Sequence, residues 1–417
     1  MKHMKGRGFL AALGMVSAFV AVAGEAERRA FERFCDLALV PPEIRTGDLP
    51  DYSTNLLAFA MCNGAAMTKG GRLYANWIAG EDGPGSFTVG NHSDDGGETW
   101  SDVDFAVDGH ASRKTLITDR CNIIGNYWSD PDGRLHFFTD QTMLHFDGRA
   151  GVWESVCDDP DAAKPVWSAP RRIAHGHVIN KPIVRKNGEW VLPVYLNRPW
   201  NNAESFPGAF PELDAERGAT CYVSTDKGRT WEKRGTAKVD QDWPESTYLE
   251  LKDGTLRVFA RVCGKGLHYL MASDSTDGGW TWSKPRNLDT MNNPAARFQV
   301  LRLASGRVLF VCHGAPTDDC KNKRRDLTAY LSEDEGETWK GGLLLDKGNG
   351  SYPDAFEAAD GYIYVMHDHD RYGDAEIWMH RFSEDDILAG RIVSPRGRLA
   401  MLVSRGMASK KNRKVQH

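Results

Sequence analysis

The sequence has no surplus of positive charge: 52 Lys and Arg stand against 57 Asp and Glu, a formal net charge of −5 over 417 residues. Chains that follow a nucleic-acid backbone usually carry a basic stripe, so nucleic acid is not expected as a partner. The eight cysteines (Cys35, Cys62, Cys121, Cys157, Cys221, Cys263, Cys312 and Cys320) include no C-x-x-C pair. That absence argues against a zinc site or a dithiol redox centre. Cys312 and Cys320 flank a Pro/Asp/Lys loop that a bridge would close; most of the others are expected as buried thiols. Beyond residue 22 no stretch is apolar enough to span a bilayer. Linker-like segments are missing too, so a second domain is not expected. No motif requires a metal or cofactor. His175-Gly176-His177 and His367-Asp368-His369 alternate in a way that allows chelation, but they read as strand-end or loop histidines.

What is present is a globular composition, 41% apolar and 26% charged. Lys2, Lys5 and Arg7 precede an apolar stretch at 9–22, and Ala21-Val22-Ala23 is a small-x-small cleavage site. Residues 1–23 therefore read as a cleavable secretory leader, placing the mature chain in the periplasm or outside the cell. Residues 409–417 read as a basic, frayed tail.

Two repeats share one frame across residues 24–408. The octapeptide S-x-D-x-G-x-T-W occurs at 93–100, 224–231, 275–282 and 332–339. Its aspartate suits the N–H groups of a tight turn, its glycine the turn conformation, and its tryptophan a plug between sheets. The second repeat is a turn pair ending in Gly71, Gly133, Gly188, Gly254, Gly306 and Gly361, each between two apolar runs. Such pairs signal hairpins, and their spacing is about that of one four-stranded sheet. The reading is all-β: a six-bladed propeller of four-stranded antiparallel blades, with 30–55 supplying a closing strand and blade six ending near 381–383.

The glycines serve as a ruler. First-strand starts and second-strand ends meet at one mouth of the channel. Nine residues before each glycine stand Cys62, Ile124, Ile179, Glu245, Arg297 and Tyr352; seven before stand Gly64, Asn126, Lys181, Thr247, Gln299 and Asp354. Seven after stand Ile78, Asp140, Tyr195, Arg261, His313 and Asp368. Charges on this scale suit a ligand pocket better than a packed core. The Gly-rich loop 79–85, carrying Glu81 and Asp82, should overhang the mouth as a mobile acid.

The octapeptides and the six-blade frame resemble the Asp-box (BNR) repeats of the sialidase-like superfamily, and the likeness spans essentially the mature chain. The resemblance implies an exo-acting glycoside hydrolase that takes a terminal, acidic sugar and needs no cofactor. It assigns Asp82 as proton donor, Tyr352 in Gly350-Ser351-Tyr352 as nucleophile, and Glu245 in Glu245-Ser246-Thr247-Tyr248-Leu249-Glu250-Leu251 as its base. Arg261 and Arg297 then bind the substrate carboxylate. The family's first-blade arginine should fall near Met61, Cys62 or Asn63, none of them basic; Arg45 lies upstream with different spacing. Lys181, Asp140, His313, Asp368 and Arg371 complete the expected sugar contacts. Two alternatives remain on the same scaffold: a polysaccharide lyase or another glycosidase acting on uronic-acid glycans, with His313, His367 or Tyr352 as base, and a non-catalytic glycan-binding propeller.

Overall fold

The computed structural model describes residues 24–407, apart from 111–119, 144–148, 199–205, 207, 241, 265–267 and 318–322. The leader, the tail and Cys320 lie outside these residues. Each hairpin glycine opens one antiparallel sheet, and the six sheets form a six-bladed propeller. The innermost strands are Met61–Met67, Gly125–Ser129, the broken pair His177–Val178 and Ile183–Val184, Ser246–Glu250, Gln299–Arg302 and Gly350–Glu357. No helix among the described residues is long and apolar enough to cross a membrane.

Two expectations about the ends of the ring are corrected. The strand Ile44–Thr46 does not complete blade six; it pairs with Phe105–Val107 as a fifth, outermost strand of blade one. Blade six also continues past residue 383, through the helix Glu384–Ala389, to its own fourth strand Arg398–Arg405. Every blade is thus continuous in sequence, and the ring closes without a shared sheet. Side chains do the closing. Asp368 accepts the N–H of Cys62 (3.1 Å), Asp354 accepts that of Ala65 (2.9 Å), and Asn91 donates to the carbonyl of Val403 (3.3 Å). Blades one and six also share one apolar core, in which Trp77 and Ile78 pack with Met366 and Met379.

The four octapeptides fold alike. Each serine hydroxyl donates to the aspartate, at 2.7–2.8 Å, and accepts the glycine N–H, while each threonine N–H donates to the same carboxylate. The glycines (Gly97, Gly228, Gly279, Gly336) all have positive φ, which explains their recurrence. Threonine hydrogen bonds hold the carboxylates low, Asp226 and Asp334 at about 2. The turns link third to fourth strands, and so lie at the face opposite the pocket mouth. There they pin neighbouring blades, as Lys227 does with Asp132 (2.9 Å) and Arg234 with the carbonyl of Gly278 (2.7 Å).

Buried histidines make the fold acid-sensitive. Burial pushes His313 down to about 3 and lowers His367 and His380. His367 Nε2 lies 2.9 Å from His380 Nε2, so one ring donates, the other accepts, and both cannot be protonated. For such groups stability is present above the unfolded pKa of about 6.5 and is lost as pH falls through it. His136 runs the other way. Burial lowers it, but hydrogen bonds to Asp130 and Glu154 outweigh that and raise it, so its contribution is full below about 6.5 and is lost as pH rises. The three neutral histidines outweigh the one cation. Thermal midpoints are expected to fall steadily as pH is lowered from about 7 to 5; a midpoint rising over that interval would contradict the assignment.

Candidate active site

At the mouth where first strands begin and second strands end lies a cavity of about 250 Å³. Met61, Ile123, Ile124, Ile179 and Trp243 form its apolar wall; Asp82, Glu245, Arg261, Arg324, Tyr352 and Arg371 supply the polar groups. Such a balance of apolar walls and a few convergent polar groups is what small-molecule sites show.

The centre is a triad drawn from blades four and six. Glu245 and Arg261 face each other across the first hairpin of blade four, where the Arg261 N–H donates to the Glu245 carbonyl at 3.0 Å. Arg261 Nη1 lies 2.7 Å from Glu245 Oε1 and 3.1 Å from Tyr352 Oη, which itself donates to Glu245 Oε1 at 2.9 Å. Tyr352 reaches this point through a β-bulge. Ser351 pairs with Asp368 and Asp354 with Met366, leaving Tyr352 and Pro353 opposite the single residue His367. The bulge holds Tyr352 at φ 52°, a left-handed conformation costly for an aromatic residue. Bulges next to active sites commonly re-aim a side chain in this way. Burial and the neighbouring Glu245 raise the phenol to about 12, against the lowering fields of Arg261, Arg324 and Arg371. It is therefore neutral at rest.

Two further guanidiniums flank the tyrosine ring. Arg371 Cζ stands 4.6 Å and Arg324 Cζ 5.5 Å from its centroid. Asp368 holds Arg371 bidentately (3.0 and 3.1 Å), and Arg371 Nη1 reaches Met61 Sδ at 2.7 Å. A blade-six guanidinium thus occupies the space beside the blade-one position that lacks an arginine.

Asp82 projects from the rim loop of blade one. Crowding around its carboxyl raises the pKa, opposed by Arg371 and reinforced by Glu245. The loop that carries it is anchored at several points. His110 Nε2 donates to the Pro84 carbonyl at 2.9 Å while His110 Nδ1 lies 2.6 Å from Asp108. Glu81 accepts the N–H of Gly85 at 2.9 Å, so the second acid of the loop caps its own turn.

The family described as the BNR repeat-like domain matches residues 71–365, well over half of the chain. The chain belongs to that family. Among curated relatives, sialidases of two serotype O1 strains of Vibrio cholerae are 25% identical over 275 residues. The match takes in 56% of this chain and 34% of theirs, so the chain spans about a third of the length of these relatives. Among solved structures, the intramolecular trans-sialidase of Ruminococcus gnavus, in complex with oseltamivir carboxylate, superposes with a TM-score of 0.60 at 14% identity, covering 84% of this chain and 99% of that one. A Dyadobacter fermentans protein of unknown function gives 0.56 at 16%, covering 80% and 94%. At these identities the structural likenesses speak for the fold.

Within this BNR-repeat propeller, five of the expected sugar contacts lie outside the cavity lining. Arg297 shares the offset of Glu245, but its guanidinium turns down the channel. There it donates to Asn180 Oδ1 (3.0 Å), to the carbonyls of Asn63 and Ile179, and to Asp354 (3.0 Å). Lys181 pairs with the same Asp354, which also accepts from Asn126 (3.1 Å). These groups form a polar plug one layer below the pocket. Gly64 faces it so closely that a Cβ there would meet Asn126 Oδ1 at 1.9 Å. Asp140 is buried against His177 (2.6 Å) and accepts the N–H groups of Ile123 and Ile124 (both 2.9 Å), which fixes the apolar wall. His313 bonds to the Gly350 carbonyl at 3.1 Å, at the start of the tyrosine strand. Asp368 holds Arg371. Arg45 ion-pairs with Glu43 and hydrogen-bonds Tyr52 in the outermost strand of blade one, not in the cavity lining.

The histidine pairs have protein partners: His177 with Asp140, His367 with His380, His369 with Asp346 (2.6 Å) and His175 with Arg172 (3.0 Å). The cysteine bridge proposed for 312 and 320 lies partly outside the described residues; Cys62, Cys157, Cys221 and Cys263 are free thiols. Arg324 and Trp243 were not anticipated. Both precede strands rather than sit on them, beyond the reach of a ruler counted within hairpins; the basic run Lys323-Arg324-Arg325 was the available signal.

Proposed function

We propose that this protein is a sialidase-like exo-glycosidase acting on a terminal sugar that bears a carboxylate beside its anomeric carbon. The observation carrying the proposal is the convergence of a neutral tyrosine, its carboxylate partner and three guanidiniums on one cavity. A carboxylate at the reacting carbon repels an anionic nucleophile; a neutral phenol avoids that repulsion. The Tyr352 oxygen attacks the anomeric carbon as its proton passes to Glu245 Oε1. Asp82, whose pKa burial raises, donates its proton to the departing glycosidic oxygen. In the second half Asp82, now a carboxylate, takes a proton from water as that water displaces the tyrosine, and Glu245 returns the first proton to Tyr352. Arg261, Arg324 and Arg371 hold the substrate carboxylate.

The curated relatives named sialidase support this reading. Of the three bases a lyase could use, His313 and His367 are buried and do not line the cavity, which leaves Tyr352 alone for that reading. The test is a panel of α-sialosides and uronic-acid glycans with the purified protein. Release of the terminal sugar without ultraviolet-absorbing unsaturation is expected; an unsaturated product would identify a lyase, and binding with no product a lectin-like propeller. Asp82→Asn is expected to lower kcat by about 10²–10⁴-fold on a glycan. The loss should shrink on an aryl glycoside, whose leaving group departs without protonation. Equal loss on both substrates would remove Asp82 from the acid's role.

A further inference from the structure

We propose that His110 is a positioning residue for the acid: it fixes the loop that carries Asp82 over the cavity, where the proton is delivered; this rests on the glycosidase reading above. Asp82 has no strand to hold it. It stands in the loop 80–86, between the blade-one strands Leu73–Ala79 and Phe87–Ser93. Bonds within the loop fix its shape. Glu81 accepts the Gly85 N–H (2.9 Å), and the Gly83 carbonyl accepts the Ser86 N–H (3.0 Å). Gly80, at φ 85°, lies so near the far end that a Cβ there would meet the Gly85 carbonyl oxygen at 2.2 Å. A loop pinched at its neck and bonded to itself keeps its shape, and bonds from outside set its angle to the cavity.

His110 supplies such a bond two residues from the acid. Its Nε2 lies 2.9 Å from the Pro84 carbonyl oxygen, which can only accept, so the Nε2 proton makes the tie. The other side of the ring is fixed in turn. Asp108 lies 2.6 Å from Nδ1 and also accepts the His110 main-chain N–H (3.0 Å). Tyr52 donates its hydroxyl to Asp108 (3.0 Å), and Arg45 donates to Tyr52. The imidazole packs edge-on against Phe87, the first residue after the loop, with centroids 6.4 Å apart. Tyr52, Asp108 and His110 are all buried. A string of side chains therefore runs from the outermost strand of blade one to the acid loop, and Arg45 acts at its far end rather than in the cavity. Misplacing a reacting group by about 1 Å costs on the order of 10²-fold in rate, and a ring locked on both sides is suited to prevent it.

The need for an acid grows as the leaving group becomes poorer, which gives positioning a signature that general loosening of the fold lacks. The experiment measures kcat/KM, which covers the steps up to departure of the leaving group. In His110→Ala the value for sialyl-lactose is expected to fall about 10–100-fold. The value for methylumbelliferyl α-sialoside, whose leaving group departs without protonation, should stay near that of the wild type. His110→Gln keeps an amide N–H where Nε2 stands and should recover most of the loss; His110→Asn reaches only toward Asp108 and should not. Where the alanine variant fails to fold, the glutamine and asparagine variants decide. Equal losses on the two substrates, or a glutamine variant no better than the asparagine one, overturn the proposal. If the wild type cleaves neither sialoside, hydrogen exchange of the segment 79–86 decides instead. Exchange that quickens there in His110→Asn and not in His110→Gln sustains His110 as the residue that sets the loop, and only the glycosidase reading fails. Exchange unchanged in both variants overturns the proposal along with that reading.

Discussion

Tyr352→Phe is expected to lower kcat by roughly 10⁴-fold or more, the scale on which losing one member of a nucleophile–base pair acts. That corresponds to about 5 kcal/mol of transition-state stabilisation. The substitution removes one oxygen and nothing else. The ring keeps its place between Arg371 and Arg324, and Glu245 keeps its 2.7 Å contact with Arg261. The thermal midpoint should therefore stay near that of the wild type, which separates loss of chemistry from loss of fold. Glu245→Gln is the less clean experiment, because it also breaks a buried ion pair. A Tyr352→Phe protein retaining a tenth of wild-type turnover would place the nucleophile elsewhere.

Asp354→Asn is expected to be the most damaging substitution for stability, costing about 3–5 kcal/mol. The carboxylate is fully buried on the channel axis, where it accepts from Ala65, Asn126, Arg297 and Lys181, so blades one, two, three, five and six meet on it. Neutralising it leaves the Arg297 guanidinium and the Lys181 ammonium facing one another with no anion between. Burial already lowers the Lys181 pKa, and Asp354 is the chief force opposing that. Denaturant midpoints measured for Asp354→Asn and for Asp354→Asn with Lys181→Met decide the case. The second change should restore part of the loss, since it removes an uncompensated charge. Two losses that simply add would show that the plug is not an electrostatic unit.

The glycine ruler was right about depth and less so about direction. Ile124, Ile179, Glu245 and Tyr352 share one offset and do line the cavity, and Asn126, Lys181 and Asp354 share the next and form the plug beneath. Arg297 breaks the rule because a long guanidinium goes where acceptors are, and four lie down the channel. Asp368, Asp140 and His313 break it differently: short side chains on second strands end against backbone N–H groups or a carbonyl of an adjoining segment, and position residues that do face the cavity.

The periodicity of turn glycines and octapeptides determined, from the linear chain alone, the number of blades, the place of each hairpin and the gathering of Glu245 and Arg261 at one mouth of the channel. Those are local matters, decided by φ preferences and by hydrogen bonds that span a few residues. The tertiary structure decided the rest: the bulge that turns Tyr352 inward, the blade-six arginine beside Met61, the guanidinium from a mouth loop, and the ring closed by carboxylates rather than by a shared strand. Each depends on where opposite charges from distant segments find one another in a low-dielectric channel, and strand periodicity carries no record of that.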